Sequence, residues 1–153
     1  MERGRLMKEN LKEIIDWTLK KLNMESEDAA DLIFKTGNAE TGYRVLRQMG
    51  NGPAVGFWQV EKDTIKDIWD NFVSFRKELK GKLLMLGFNE AEQEMSVLSS
   101  LALQIAMCRI TYWRYPKPLP KKGDLQGQAE YWKKAYNTEL GKGTVSHFIK
   151  ANS

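Results

Sequence analysis

Apolar residues recur at spacings of three and four along most of this chain, which predicts a mainly α-helical protein. Leu11, Ile14, Ile15, Leu19 and Leu22 form one such face and predict a first helix from about Met7 to Leu22. Lys8, Lys12, Lys20 and Lys21 flank it as a solvated face. Ser26 suits an N-cap, and Glu27 and Asp28 then fall in the first turn, where acids favour the positive end of the helix dipole. The apolar set Ala29, Ala30, Leu32, Ile33 and Phe34 predicts a deeply buried second helix. Its end, between Gly37 and Thr41, carries an acid, Glu40.

The pattern then changes. Residues 42–62 hold Gly50, Gly52, Pro53 and Gly56 and predict loop or short irregular strands, with Val55 to Val60 able to pair as a small hairpin. Asp63 or Thr64 is expected to cap a third helix that turns Ile65, Ile68, Trp69, Phe72 and Phe75 inward and ends at Lys80-Gly81. Asn89 with Glu92 resembles a capping box. It opens a helical stretch whose core half is Leu98, Leu101, Ala102, Ile105, Ala106, Arg109 and Tyr112, stopped by Pro116. Pro116, Pro118 and Pro120 stiffen an extended connector. Asp124 caps a further helix with Leu125, Ala129, Trp132 and Tyr136 on its buried face, and a short helix from Thr144 to Ile149 closes the chain. No repeat, low-complexity tract or linker divides the sequence, so residues 1–153 are expected to form a single domain.

Composition narrows the chemistry. There is one cysteine, Cys108, and one histidine, His147. An intrachain disulfide is excluded, and a zinc site built from several His and Cys ligands has no material. Any nucleophilic triad would have to use His147, and Cys108 lies in the apolar run from Leu101, where a buried structural thiol is expected. Carboxylate chemistry is what remains for an enzyme. Glu40, at the end of a buried helix, is the candidate acid: partial desolvation raises a carboxyl pKa toward neutrality, as a general acid requires. The net charge of +4 and pI near 9.1 give only a mild bias toward anionic partners. No apolar run approaches the roughly 20 residues of a membrane span. Acids interrupt the N-terminal stretch from Met1 to Trp17, so no secretory signal is expected and the chain would be made in the cytoplasm. A target beyond the membrane would need another route of delivery.

Three short segments carry a resemblance. Glu40-Thr41-Gly42-Tyr43, Gly56-Phe57-Trp58-Gln59-Val60 and Ala135-Tyr136-Asn137-Thr138 resemble, in order, the Glu-Ser-Gly-aromatic, Gly-Leu-Met-Gln-Val and Ala-Tyr-Asn-Ala-Gly motifs of the lysozyme superfamily. The groups concerned are the soluble-lytic-transglycosylase-like and goose-type-lysozyme-like domains, and the match spans about residues 27–145. This chain departs from the pattern at Thr41 (for serine), at Phe57-Trp58 (for Leu-Met) and at Thr138 to Gly141 (for Ala-Gly).

The resemblance implies a lysozyme-like domain with a cleft. The substrate would be peptidoglycan glycan strands, cut between N-acetylmuramic acid and N-acetylglucosamine, with Glu40 as the single catalytic acid and no cofactor or metal. Thr41, Tyr43, Gly56, Trp58, Gln59, Tyr136 and Asn137 would bind substrate: Gln59 on the cleft floor, Tyr136 beside Glu40, Asn137 holding its loop, Tyr43 and Trp58 stacking on sugars. A transglycosylase needs no second carboxylate. A hydrolase of the group uses one to activate water, and Glu61, Asp63 and Asp67 are the candidates. The small size suits a bacteriophage lysis enzyme or virion component, whose partners would include other virion proteins. The alternative is a catalytically silent lysozyme-like part of a phage particle, structural or wall-binding. A nucleic-acid-binding role rests on charge alone.

Overall fold

The computed structural model describes residues 2–47, 52–137 and 141–153. The expected glycine-rich loop at Gly50-Asn51 and the altered segment Thr138 to Leu140 lie outside the described residues. The described fold is mainly α with one small antiparallel hairpin.

Helix α1 (Glu2–Lys21) begins earlier than the apolar spacing suggested, because its first turns are polar and make no inward face. Leu11, Ile15 and Leu19 are buried as expected. Helix α2 (Glu27–Glu40) is capped by Ser26, whose Oγ accepts from the Ala29 amide at 3.1 Å. It ends on Glu40, with the Thr41 amide closing onto Gly37 O at 3.1 Å. Strands β1 (Ala54–Val55) and β2 (Val60–Glu61) pair Val55 with Val60 around the turn Gly56 to Gln59.

The third predicted helix is corrected in both its bounds. Helix α3 (Lys62–Asn71) starts directly from β2, so neither Asp63 nor Thr64 caps it, and Glu61 at the cap position makes no side-chain bond. It stops at Asn71. A 3₁₀ turn (Val73–Phe75) follows, then a separate helix α4 (Lys77–Met85) with Gly81 in its interior. Val73 takes the next core position, leaving Phe75 78% exposed rather than inward. The Arg76 guanidinium lies 3.6 Å over the Phe72 ring, which packs edge-on to Trp113 and covers the reversal.

Asn89 caps only a 3₁₀ turn (Glu90–Glu92), accepting from the amides of Ala91 and Glu92. The expected single helical stretch is two helices, α5 (Gln93–Leu98) and α6 (Leu101–Trp113), bent by 104° at Ser99-Ser100. Ser100 Oγ caps α6 through the Leu103 amide. Among the described residues no single helix is long and apolar enough to cross a membrane. Helix α7 (Leu125–Trp132) is capped by Asp124 and runs into a π-helical turn (Lys133–Asn137). Helix α8 (Val145–Ala151) is capped by Thr144.

Two apolar clusters fill the molecule. One joins α1, α2, α7 and α8 through Leu19, Leu32, Ile33, Trp132 and Phe148. The other joins the hairpin to α3, α4 and α5 through Val55, Val60, Ile65, Ile68, Leu83 and Val97. Helix α6 serves both: Ile105, Cys108 and Tyr112 enter the first cluster, Leu103, Ala106 and Ile110 the second. A helix shared between two cores must be apolar nearly all round. That is why the buried set of α6 includes Leu103, Met107 and Ile110 beyond the single face expected, while Arg109 is only half-buried.

Candidate active site

A cleft of about 680 Å³ opens where the end of α2, the hairpin and the π-helical turn converge. Glu40, Gln59, Glu61, Thr64, Tyr136 and Asn137 line it, together with Thr111 and the segment Gly141-Lys142-Gly143. The structure thus brings Glu40, Gln59, Tyr136 and Asn137 together from positions far apart in sequence.

Glu40 is the last residue of α2, where the helix dipole is negative and no basic residue of the last turn offsets it. Its carboxylate accepts one bond, from the Trp132 indole Nε1 at 3.0 Å. It has no ion-pair partner among the described residues. Burial raises its pKa from 4.5 to about 7, and the Trp132 bond, which pulls the other way, offsets only part of that rise. A carboxyl poised near neutrality at a cleft wall can give up a proton and take one back.

Trp132 was expected only as core. It is 1% exposed, and its indole edge is the donor that reaches Glu40. Its ring is fixed by Phe148 at 5.3 Å and by Gly143, where an added Cβ would lie 2.4 Å from Cη2. The sole histidine contributes at one remove: His147 Nε2 lies 2.7 Å from the carbonyl of Ala39 and so tethers α8 to the residue before the acid. The sequence signal for Trp132 was its place four residues before Tyr136 on one helix face. Nothing in that spacing said that the indole edge, rather than the ring alone, would be used.

Tyr136 lines the cleft, but its hydroxyl donates to the Trp58 carbonyl and not to Glu40. It braces the wall, with its ring 5.0 Å from Tyr112. At Asn137, Lys133 Nζ donates both to Asn137 Oδ1 at 2.8 Å and to Gly141 O at 2.9 Å. Gln59 adopts a left-handed conformation (φ 52°), uncommon for a residue with a side chain, and its Nε2 returns to Gly56 O at 2.7 Å. Its Oε1 makes no bond within the described residues and is left for the cleft.

Four of the expected substrate-binding residues stand behind the wall. Trp58 is fully buried, its Nε1 donating to Ile33 O at 2.8 Å. Tyr43 is 5% exposed, its hydroxyl donating to Phe34 O at 2.7 Å. Both rings pack in the first core, 5.6 Å apart and edge to face, so neither is placed to stack on a sugar. The physical reason is the tight hairpin turn, which drives Phe57 and Trp58 inward against α2. Thr41 Oγ1 donates to Phe57 O at 2.8 Å and accepts from the Tyr43 amide, joining the end of α2 to the hairpin. Gly56 (φ 80°) admits the Gln104 side chain, which a Cβ there would approach to 2.5 Å. Gln104 Oε1 accepts from the Phe57 amide and its Nε2 donates to Leu98 O.

Of the candidate second acids, Glu61 reaches the cleft. Asp63 is exposed in the first turn of α3 and is not among the lining residues. Asp67 is bonded to Asn71 at 2.7 Å and Arg114 at 2.8 Å, contacts that hold its pKa below the ordinary value. Comparison with protein-family models, with curated proteins and with solved structures finds no match to this chain.

Proposed function

We propose that this protein cleaves peptidoglycan, as a glycosidase or lytic transglycosylase of lysozyme-like type with Glu40 as its general acid. The observation that carries the reading is a carboxyl raised to about 7 that faces an open cleft shared with Gln59, Tyr136 and Asn137. The raised pKa is what a proton donor to a glycosidic oxygen needs, and Gln59 and Asn137 supply amide groups for sugar hydroxyls and acetamido groups.

In the transglycosylase form, Glu40 protonates the oxygen leaving C1 of N-acetylmuramic acid. The C1–O bond breaks with the sugar's own acetamido group supporting C1. The Glu40 carboxylate then takes the proton of the C6 hydroxyl as that oxygen closes on C1, giving a 1,6-anhydro end without water. In the hydrolytic form a water attacks instead, and Glu61 is the cleft carboxylate available to activate it. The setting that fits is a bacteriophage lysis or virion-associated enzyme.

The test is incubation of purified protein with isolated peptidoglycan and analysis of the soluble products. Anhydro-muropeptides identify the transglycosylase, and new reducing ends the hydrolase. The wild type is expected to release one of these and Glu40→Gln neither. Absence of release by the wild type, where a control enzyme works, removes the enzymatic reading. Full release by Glu40→Gln removes Glu40 as the acid.

A further inference from the structure

A second groove, of about 520 Å³, lies along α1 and reaches the turn that follows α2. Arg5, Lys8 and Lys12 line it from α1, Phe34 from α2, and Arg44 from the turn only four positions past Glu40. On a helix, the steps from Arg5 to Lys8 to Lys12 keep these side chains on one face, at rises of about 4.5 and 6 Å. The groove contains one acid, Glu9, and this is paired with Lys12 at 3.4 Å. Arg5, Lys8 and Arg44 have no ion-pair partner among the described residues. Four cations against one acid, in a chain whose whole net charge is +4, concentrate most of the protein's excess positive charge in one channel.

We propose that this groove binds a linear phosphodiester polymer of the cell envelope. The proposal rests on the wall-cleaving reading for the choice of an envelope polymer. A row of cations a few ångströms apart matches a chain with one phosphate per short repeating unit. The rings of the groove argue against nucleic acid as the occupant. Phe34 already lies under the Lys12 ammonium at 4.8 Å and against Tyr43 at 5.7 Å, and Tyr43 itself is buried. No ring in this channel offers the open face on which single-stranded bases stack.

Binding of soluble poly(glycerol phosphate), which contains no glycan, is measured by titration at low and moderate salt. This readout does not depend on Glu40, so it can fail while peptidoglycan cleavage succeeds, and the reverse. Wild type is expected to bind, with affinity falling steeply as salt rises. The variant Arg5→Gln/Lys8→Gln/Arg44→Gln is expected to bind at least about tenfold more weakly and with a shallower salt dependence. Lys20→Gln/Lys117→Gln/Lys150→Gln removes the same charge from exposed positions elsewhere and is expected to bind within about twofold of wild type. Equal loss in both variants would mean diffuse charge rather than a groove and would overturn the proposal. So would absence of binding by wild type. Tighter, groove-dependent binding of single-stranded DNA of matched charge would overturn the choice of polymer.

Discussion

Replacing Glu40 by Gln should make the protein more stable at neutral pH while silencing it. The carboxyl has a pKa of about 7 in the fold against an ordinary value of 4.5, so folding favours its protonated form. Below pH 4.5 it is protonated in both folded and unfolded chains and makes no difference. Between 4.5 and about 7 the unfolded chain releases the proton while the folded chain keeps it, so stability falls as pH rises. Above about 7 the loss is complete, and a displacement from 4.5 to 7 corresponds to roughly 3 kcal/mol. Gln removes the titration, keeps the shape, and its carbonyl oxygen can still accept from Trp132 Nε1. Urea unfolding followed by tryptophan fluorescence, run from about pH 4 to about pH 8, gives the comparison. The gap between Glu40→Gln and wild type should be smallest at the acid end and widen by roughly 3 kcal/mol by the alkaline end. A gap that stays constant across the range would refute the claim that the fold holds this carboxyl protonated. In the wild type the same titration should make cleavage fall as pH rises through about 7, since the acid form is the donor.

Trp132→Phe removes the donor that favours the Glu40 carboxylate; at about 1.5–3 kcal/mol for a bond to a charged group, its titration should move up by about one pH unit or more. Carbon-13 NMR of labelled Glu side chains checks this, and an unmoved midpoint contradicts it. Tyr136→Phe strands the buried Trp58 carbonyl and should cost about 1–3 kcal/mol in urea unfolding, yet leave the Glu40 midpoint in place. A large change in that midpoint would return Tyr136 to the role of direct partner. Gly56→Ala meets both a positive φ and the Gln104 side chain, and should destabilise by about 2 kcal/mol or more. Thermal melting within a degree of wild type would show that the turn relaxes freely.

What the sequence made legible was local. Ser26, the acids after it and the apolar spacing of α2 are all within a few residues of each other, so the helix and its terminal Glu40 could be placed closely. The hairpin followed from Gly56 and the valines on either side. The break between α3 and α4 was hidden because Phe75 continues the spacing of Ile65, Ile68 and Phe72, and only tertiary packing decides that Val73 takes the inner place. The bend at Ser99-Ser100 was hidden for a similar reason: both arms are apolar, and the second core that separates them comes from distant residues. In the site, Gln59 reaches the cleft from the hairpin turn and Asn137 from the π-helical turn. Trp58 and Tyr43 do not, because aromatic character fits a sugar face and a core equally well and burial against α2 settles which is used. Trp132 shows the opposite failure. It was rightly placed in the core, but its single polar atom faces the acid.

The sharing of α6 between two cores bears on how the walls of the cleft are held. Glu40 stands on α2 and is bonded to Trp132, both held by one cluster, whereas Val60 and Ile65, beside Glu61 and Thr64 on the opposite wall, belong to the other. The cleft is therefore a seam. Tyr136 packs against both clusters, and its hydroxyl donates to the carbonyl of Trp58, a residue of the first. Loosening one cluster should therefore disturb one wall of the cleft more than the other.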